Sequence, residues 1–139
     1  MLVQKNKKNG HCCLPGGRIE IGENSEQTIK REMQEELGRK IEIEEYMTTI
    51  ENFFEIENKK YHELYFLYKI EFEKEADKKI EYTLQNLEGK EYLQYEWLDL
   101  DKIEGCNLLP KCLKEVVKTK VFPAHIIHND LEYEKRIRN

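Results

Sequence analysis

Residues 16–38 read GGRIEIGENSEQTIKREMQEELG, and this stretch decides how the rest of the chain is interpreted. Two glycines open it, and glycine permits backbone angles and a close approach of ligands that other residues hinder. Asn24 followed three residues later by Gln27 is the pattern of a capping box, so a helix is predicted to begin just after Asn24. Neither proline nor glycine follows until Gly38, which provides a C-terminal stop.

Three glutamates, Glu32, Glu35 and Glu36, lie near the end of this predicted helix. The apolar side chains repeat every four residues from Ile29 and form one stripe, and the glutamates lie beside that stripe. Like charges at such spacings cost about 0.2–0.5 kcal/mol per pair, and Arg31 offsets part of this repulsion. A bound cation would relieve the rest. All-oxygen ligands favour a hard ion, Mg²⁺ or Mn²⁺, over zinc.

The simplest alternative is a solvated acidic face, because 37% of the residues are charged. The spacing argues against it. Gly17, Glu23 and the run REMQEELG at 31–38 fit the pattern Gly-x5-Glu-x7-Arg-Glu-U-x-Glu-Glu-x-Gly-U, where U is a bulky apolar residue. This pattern resembles the signature of the Nudix hydrolases at every fixed position. Arg39 departs from the final apolar position, although its aliphatic stem can cover an apolar patch.

The resemblance implies a set of site residues. In the Nudix family the signature binds divalent ions and the diphosphate of a nucleoside diphosphate linked to another group. By position, Glu35 and Glu36 are expected as metal ligands, and the carbonyl of Gly16 as an additional ligand. Glu32 is expected either as a further ligand or as the base that acts on the attacking water.

The same resemblance assigns Glu23 and Arg31 to a supporting pair that orients the helix carboxylates. The expected cofactor is Mg²⁺, with Mn²⁺ as an alternative. A metal ion can polarise phosphoryl oxygens and activate water, and phosphoryl transfer depends on positioning and charge neutralisation. A chain of formal charge −5 would otherwise repel a diphosphate. The identity of the base stays open, since Glu51 and Glu63 are acidic candidates outside the signature that also suit solvated strand positions.

Length and composition limit the other possibilities. At 139 residues the chain is expected to form a single domain, 1–139. It has neither an apolar run of membrane-spanning length nor a signal-peptide pattern, and its four cysteines form no Cys-x-x-Cys pair, so a cytoplasmic protein with reduced thiols is expected. A sequence pI near 5.5 without a basic stripe argues against polymeric DNA or RNA as a partner.

The resemblance implies an α/β (α+β) Nudix fold, an α/β/α sandwich with a mixed sheet. Met1–Gln4 is predicted to be a strand. Nudix domains usually carry an additional strand before it, which suggests a truncated frame, a lost strand or one borrowed from a second copy. An uncovered strand edge favours pairing with another chain, so a homodimer is one expected arrangement.

Further elements follow from periodicity. Strands are predicted from Ile41 through Phe54 and over Tyr61–Phe72, with a charged turn between them at 55–60. The segment 73–91 is predicted to be a long connection that contains a short strand at 80–84 and lines the substrate pocket. The final predictions are a strand at 92–98 with Trp97 in the core, a helix whose first turn contains Pro110, and a polar C-terminal segment without an assigned element.

The main hypothesis is a Mg²⁺-dependent Nudix hydrolase that cleaves a nucleoside diphosphate derivative or a nucleoside triphosphate. An alternative is a catalytically silent Nudix-fold module that binds a nucleotide or regulates a partner. A third is a small acidic protein whose helix only resembles the signature. The substrate stays open among nucleoside triphosphates, ADP-ribose, nucleotide sugars and dinucleoside polyphosphates, because the signature handles only the diphosphate.

Overall fold

The computed structural model describes residues 1–78 and 83–131. Two mixed sheets contain all of its strands, which are β1 Leu2–Asn6, β2 Cys12–Cys13, β3 Ile41–Ile56, β4 Lys59–Phe72, β5 Leu84–Gln85, β6 Leu93–Trp97, β7 Leu108–Leu109 and β8 His125–Asn129. The helical segments are α1 Ser25–Leu37, α2 Glu75–Lys78, a 3₁₀ helix Leu100–Gly105 and α3 Leu113–Thr119. Among the described residues, no helix is long and apolar enough to cross a membrane.

The strands divide between a five-stranded sheet, with the order β5-β6-β1-β2-β7, and a three-stranded sheet, with the order β4-β3-β8. One pair in each sheet is parallel, β2 with β7 and β3 with β8, and the other pairs are antiparallel. Both sheets are therefore mixed. This confirms the predicted class, with the difference that the strands form two sheets instead of one.

Helices cover both faces of the five-stranded sheet, and β1 shows this in two neighbouring residues. Val3 is 1% exposed and packs in one core cluster with the 3₁₀ helix and α3, through Ile103 and Leu113. Leu2 points the other way and packs against the buried stripe of α1, whose Met33 is fully buried. The alternation of a strand thus separates the two cores, as expected for an α/β/α sandwich.

Helix α1 begins and ends as predicted. The Asn24 side chain accepts from the Gln27 amide at 2.9 Å, and the Gln27 side chain accepts from the Asn24 amide at 2.9 Å. Gly38 adopts the left-handed conformation with φ 63°, and its amide donates to the Gln34 carbonyl. At the following position, Arg39 Nε lies 2.9 Å from Asp77 of α2, so the residue that departs from the signature ties the end of α1 to the next helix.

Strand β1 has neighbours on both sides, β6 and β2. The amino group of Met1 also donates to the Leu98 carbonyl at 2.9 Å. The predicted strand is confirmed, and the open edge expected beside it is not found, because both edges of β1 are paired. The homodimer that was expected from such an edge stays a prediction.

The β3–β4 hairpin is longer than predicted. Its two strands pair continuously from Ile41–Phe72 to Ile56–Lys59, with bulges between positions 43 and 48. The predicted charged turn at 55–60 is therefore too wide. The turn consists of Glu57 and Asn58, which both have positive φ, 51° and 63°. A two-residue type I′ hairpin turn requires positive φ at both positions.

Three other predictions need correction. Trp97 is 42% exposed and packs edge-to-face on Phe72, so it is not a core residue. Pro110 follows a cis peptide bond and precedes α3, which begins only at Leu113. The C-terminal segment contains β8, which pairs in parallel with β3. In the long connection, α2 and β5 were not predicted as such, and positions 80–82 of the predicted strand at 80–84 lie outside the described residues.

Candidate functional site

The guanidinium of Arg31 is the centre of the acidic site. Its Nε and Nη2 donate to the two oxygens of Glu23 at 2.7 and 3.1 Å. Its Nη1 donates to Glu32 and to Glu35, both at 2.9 Å, and Nη2 also reaches the Arg18 carbonyl at 3.0 Å. One planar fork thus gathers three carboxylates, which is a geometry that arginine provides and lysine does not.

Several hydrogen-bond donors hold the Glu23 carboxylate in place. Besides Arg31, its Oε2 accepts from the Thr28 hydroxyl at 2.8 Å and from the Glu20 amide at 3.1 Å. The hydrogen bonds from Arg31, together with these donors, lower the pKa of Glu23 to about 2. Glu23 is therefore ionised at neutral pH and pairs with the Arg31 side chain from the turn before the helix. The role of this pair in orienting the helix carboxylates stays a prediction.

Glu32 lies directly against Gly17 in the glycine loop. A Cβ atom at position 17 would come within 2.0 Å of Glu32 Oε1 and 2.1 Å of its Cδ. Gly17 is thus required for close approach between the loop and the helix. Gly16 also packs on α1, since a Cβ there would lie 3.7 Å from Ile29; the role of its carbonyl as a metal ligand stays a prediction.

Gly17→Ala is expected to displace the Glu32 carboxylate while leaving the fold intact. Gly17 does not adopt a positive φ, and the clashing atoms are the far end of a flexible side chain. Since changes in groups that orient a metal site typically cost about 10–100-fold, we expect a loss of hydrolytic activity of about 10-fold or more, measured as kcat/KM. Gly105→Ala is the matched control, because a Cβ there meets nothing within 4 Å. An equally active Gly17→Ala protein would contradict a role for Glu32.

Glu36 differs from the other glutamates because it is buried. It is 4% exposed, and its Oε2 has no hydrogen-bond partner among residues 1–78 and 83–131. Burial raises the pKa of Glu36 to about 7, although the neighbouring Tyr95 hydroxyl favours the carboxylate. An unpartnered buried carboxylate oxygen is costly, so this oxygen is suited to a ligand that brings positive charge.

A network of uncharged polar side chains lies behind Glu36, and sequence reasoning missed it. The buried Tyr95 hydroxyl accepts from Gln4 at 2.8 Å and from Asn86 at 3.0 Å. Its own proton is left to point toward Glu36. The Cys13 thiol donates to Oε1 of the Gln4 amide at 3.1 Å. These residues come from separate strands and loops, so no local pattern in the sequence connects them.

The two acidic candidates outside the signature lie on opposite faces of the three-stranded sheet. Glu51 lies between His125 at 3.0 Å and His62 at 3.3 Å. Glu63 accepts from the Asn52 amide at 2.9 Å on the other face. Burial raises the pKa of the Cys13 thiol, and the charges of Glu36 and Glu63 raise it further. Glu51 projects from the face of β3 opposite to that of Asn52 and Glu63.

The residues present fit a hard cation in their chemistry but are not arranged around one. In the described part of the chain, no three His, Cys, Asp or Glu side chains converge as a metal site. Glu32 and Glu35 are hydrogen-bonded to Arg31, and Glu36 supplies the unpartnered buried oxygen. A divalent cation would therefore compete with Arg31 for Glu32 and Glu35. Their oxygen donors are those that Mg²⁺ and Mn²⁺ prefer.

Comparison with known families agrees with this geometry. The glycine loop, the capped helix and the cluster of carboxylates around Arg31 lie together in the structure. The family model described as NUDIX domain matches residues 1–120, and the chain therefore belongs to the Nudix family. The match supports the general hydrolase activity of that family. No curated protein sequence matches the chain.

Proposed function

We propose that the protein is a Mg²⁺-dependent hydrolase, with Mn²⁺ as an alternative ion, that cleaves the diphosphate linkage of a nucleoside diphosphate derivative or a nucleoside triphosphate. The observation that carries the proposal is the buried, unpartnered oxygen of Glu36, on the same helix as Glu32 and Glu35. In this proposal Glu32, Glu35 and Glu36, with the Gly16 carbonyl, hold the ion. The ion supplies charge neutralisation for the diphosphate and acidifies water.

The chain's own residues have distinct roles in the proposed reaction. A water molecule attacks one phosphorus, the bridging P–O bond breaks, and the bridging oxygen leaves with the other phosphate. Glu32, held 2.9 Å from Arg31 and against Gly17, is the candidate that takes the proton of the water. Arg31 and Glu23 position the carboxylates.

One observation favours the second candidate, a silent module that binds a nucleotide or regulates a partner. The single arginine satisfies three carboxylates without any cation, through contacts of 2.7–3.1 Å. If those ion pairs persist in the presence of metal, two of the proposed ligands stay occupied. The two candidates therefore differ in whether Mg²⁺ displaces Arg31.

Phosphate or pyrophosphate release from a substrate panel tests the proposal. The panel holds nucleoside triphosphates, ADP-ribose, nucleotide sugars and dinucleoside polyphosphates, each assayed with Mg²⁺ and with chelator. Glu35→Gln is expected to lose most activity, and Glu26→Gln, an exposed glutamate of the same helix, is the matched control. Turnover that needs Mg²⁺ and is lost only in Glu35→Gln would support the hydrolase. Absence of turnover in folded protein that binds a nucleotide would favour the silent module.

The cysteines bear on the cellular compartment that we propose. All four cysteines are free thiols, and Cys12 and Cys106 are buried. Reduced thiols are usual in the cytoplasm, so we propose a cytoplasmic enzyme, formed by a single domain over 1–139, that acts on small nucleotides and not on polymeric nucleic acid.

A further inference from the structure

Strand β4 forms one edge of the three-stranded sheet. It pairs with β3 on one side, and no strand of the described residues pairs with it on the other. With 14 residues it exceeds the usual strand length of about 3–10 residues. An open edge presents backbone N–H and C=O groups that can pair with another chain, and proteins usually keep such edges short or interrupted. This long edge is therefore a candidate site for a further strand.

The backbone groups of alternate β4 residues point toward the open edge. In an antiparallel pair, residues that exchange hydrogen bonds alternate with residues that do not. The amide of Thr49, which lies opposite Phe66, donates to the Ala124 carbonyl at 3.2 Å, on the β8 side. Thr49 and Phe66 therefore form a pair that does not exchange hydrogen bonds, and the N–H and C=O of Phe66 point outward. By the same alternation, those of His62 and Leu64 do so as well.

The centre of β4 carries large side chains and no charge. Residues 64–68 read LYFLY, and they contain neither the lysine nor the proline that protects many natural edges. Tyr65 and Leu67 pack against the core. Leu64 and Phe66 alternate with them and project from the other face, where they are 59% and 40% exposed. The open edge thus has exposed apolar side chains beside its outward backbone groups.

The charges near the two ends of β4 suit antiparallel pairing with a second copy of the same strand. Lys59 begins the strand, Glu71 is its last but one residue, and Tyr65 lies midway between them. About a two-fold axis at Tyr65, Lys59 of each copy lies opposite Glu71 of the other. An axis one residue earlier would place Lys59 opposite Lys69 and bring like charges together. Such charge complementarity sets the register of an interface and disfavours wrong partners more than it adds affinity.

We propose that β4 pairs with β4 of a second copy about a two-fold axis at Tyr65, so that the two three-stranded sheets join into one sheet of six strands. The interface is isologous, because both copies contribute the same surface. Leu64 of each copy lies beside Phe66 of the other, and the four side chains form an apolar cluster with less surface in contact with water. Pairing uses the β4 edge of both copies, so association through this edge stops at two. The inference does not depend on the proposed hydrolysis.

A different dimer, with two sheets stacked face to face, would bury part of the same surface. Ile127 on β8 is 67% exposed and lies on the same face as Leu64, because Glu51 is the register partner of both. Strands β8 and β4 are separated by β3, which places them about 10 Å apart. Stacking would bury both Leu64 and Ile127, whereas edge pairing buries only Leu64. Lysine substitutions at the two positions therefore form a matched pair.

The mass of the full chain in solution tests the pairing. Light scattering after size exclusion should give twice the 16.8 kDa of one chain. Leu64→Lys should raise the dissociation constant of the dimer by at least about 30-fold, the size of a hot-spot loss, because it places two lysines in the apolar cluster. Ile127→Lys should leave the dimer intact. Both positions are exposed in a single copy, so the circular dichroism of each variant should match that of the wild type.

Amide hydrogen exchange, followed residue by residue with NMR, distinguishes edge pairing from any other dimer. In the dimer, the amides of His62, Leu64 and Phe66 should exchange slowly, because they donate to the second copy. In monomeric Leu64→Lys, those of His62 and Phe66 should exchange at least about 10-fold faster, since nothing then protects the edge. The amides of Glu63 and Tyr65, which point toward β3, should stay protected in both proteins.

Each other outcome would overturn the proposed pairing. These outcomes are a wild-type monomer at every concentration, a dimer that survives Leu64→Lys, and a dimer whose exchange lacks the alternation along β4. Dissociation by Ile127→Lys would indicate stacked sheets instead. A monomer in which the same alternate amides exchange slowly would show that another segment of this chain covers the edge. A dimer with alternating protection, lost in Leu64→Lys and kept in Ile127→Lys, would support the pairing.

Discussion

Glu36→Gln is expected to abolish most hydrolytic activity and, in chelator, to raise the melting temperature at pH 8. The loss of activity follows because Glu36 is proposed to bind the ion directly. Changes in groups that only orient metal ligands already cost about 10–100-fold, so we expect at least about a 100-fold fall in kcat/KM. Mn²⁺ affinity, measured by titration, should fall with it.

The gain in stability has a separate cause. Burial raises the pKa of Glu36 from 4.5 to about 7 in the folded protein. The folded state therefore binds a proton more tightly than the unfolded state, and stability is lost as pH rises from about 4.5 through 7. A neutral glutamine does not titrate. The variant should thus melt higher than the wild type at pH 8, and the difference should shrink at pH 5.

Glu26→Gln serves as the control for both measurements, because Glu26 is exposed in the first turn of α1. It should change neither Mn²⁺ affinity nor the pH dependence of melting. A Glu36→Gln protein with unaltered Mn²⁺ affinity would remove Glu36 from the proposed ligands. A lower melting temperature at pH 8 would show that the contact with the Tyr95 hydroxyl outweighs the cost of burying the carboxylate.

Deletion of residues 1–4 is expected to eliminate the cooperative unfolding transition. These residues supply most of β1, which lies in the middle of the five-stranded sheet. Burial of Val3 alone contributes about 1.5–3 kcal/mol, and each backbone group left unpaired in β6 and β2 costs about 1–3 kcal/mol. Together these losses exceed what a domain with about 5–15 kcal/mol of stability can tolerate.

Circular dichroism during heating measures this effect. Lys5→Gln, which removes only an exposed ion pair with Glu96 at 3.5 Å, is the control and should melt like the wild type. A deletion variant with an unaltered melting curve would contradict the central position of β1.

The sequence predicted best those elements whose determinants are local. Helix α1 has its capping residues, apolar stripe and terminal glycine within 15 residues, and the structure follows them at both ends. The β3–β4 hairpin was predicted from alternation, but its turn was placed too broadly. Charged residues at 55–60 suggested a loop, whereas only Glu57 and Asn58 leave the strands. Exposed lysine and glutamate occupy both the strands and the turn of such a hairpin, so they do not show in the sequence where the turn begins.

Elements that depend on distant partners were missed. Strand β8 is stabilised by parallel pairing with β3, about 75 residues earlier, and nothing in HIIHN requires that pairing. Trp97 was expected in the core from its size. It is the last residue of β6, where it makes an edge-to-face contact with Phe72 and stays 42% exposed. Pro110 is compatible with a helix start, but residues 111–112 form a turn before α3 begins at Leu113.

The candidate site shows the same division. Glu23, Arg31, Glu32, Glu35 and Glu36 were predicted because their spacing is fixed along the chain. The contacts of Arg31 with Glu23 and Glu35 were predicted. Its contact with Glu32 was not. The polar network of Tyr95, Gln4 and Asn86 depends on tertiary contacts, as does the hydrogen bond between Asn52 and Glu63.

The ion pairs of Arg31 have a practical consequence for work with the protein. Because Arg31 already offsets part of the repulsion among Glu23, Glu32 and Glu35, we expect the fold to persist without an external ion. Dialysis against EDTA should therefore yield folded apo-protein. That material can be reconstituted with one metal after another, so that metal preference is measured on a single preparation without refolding.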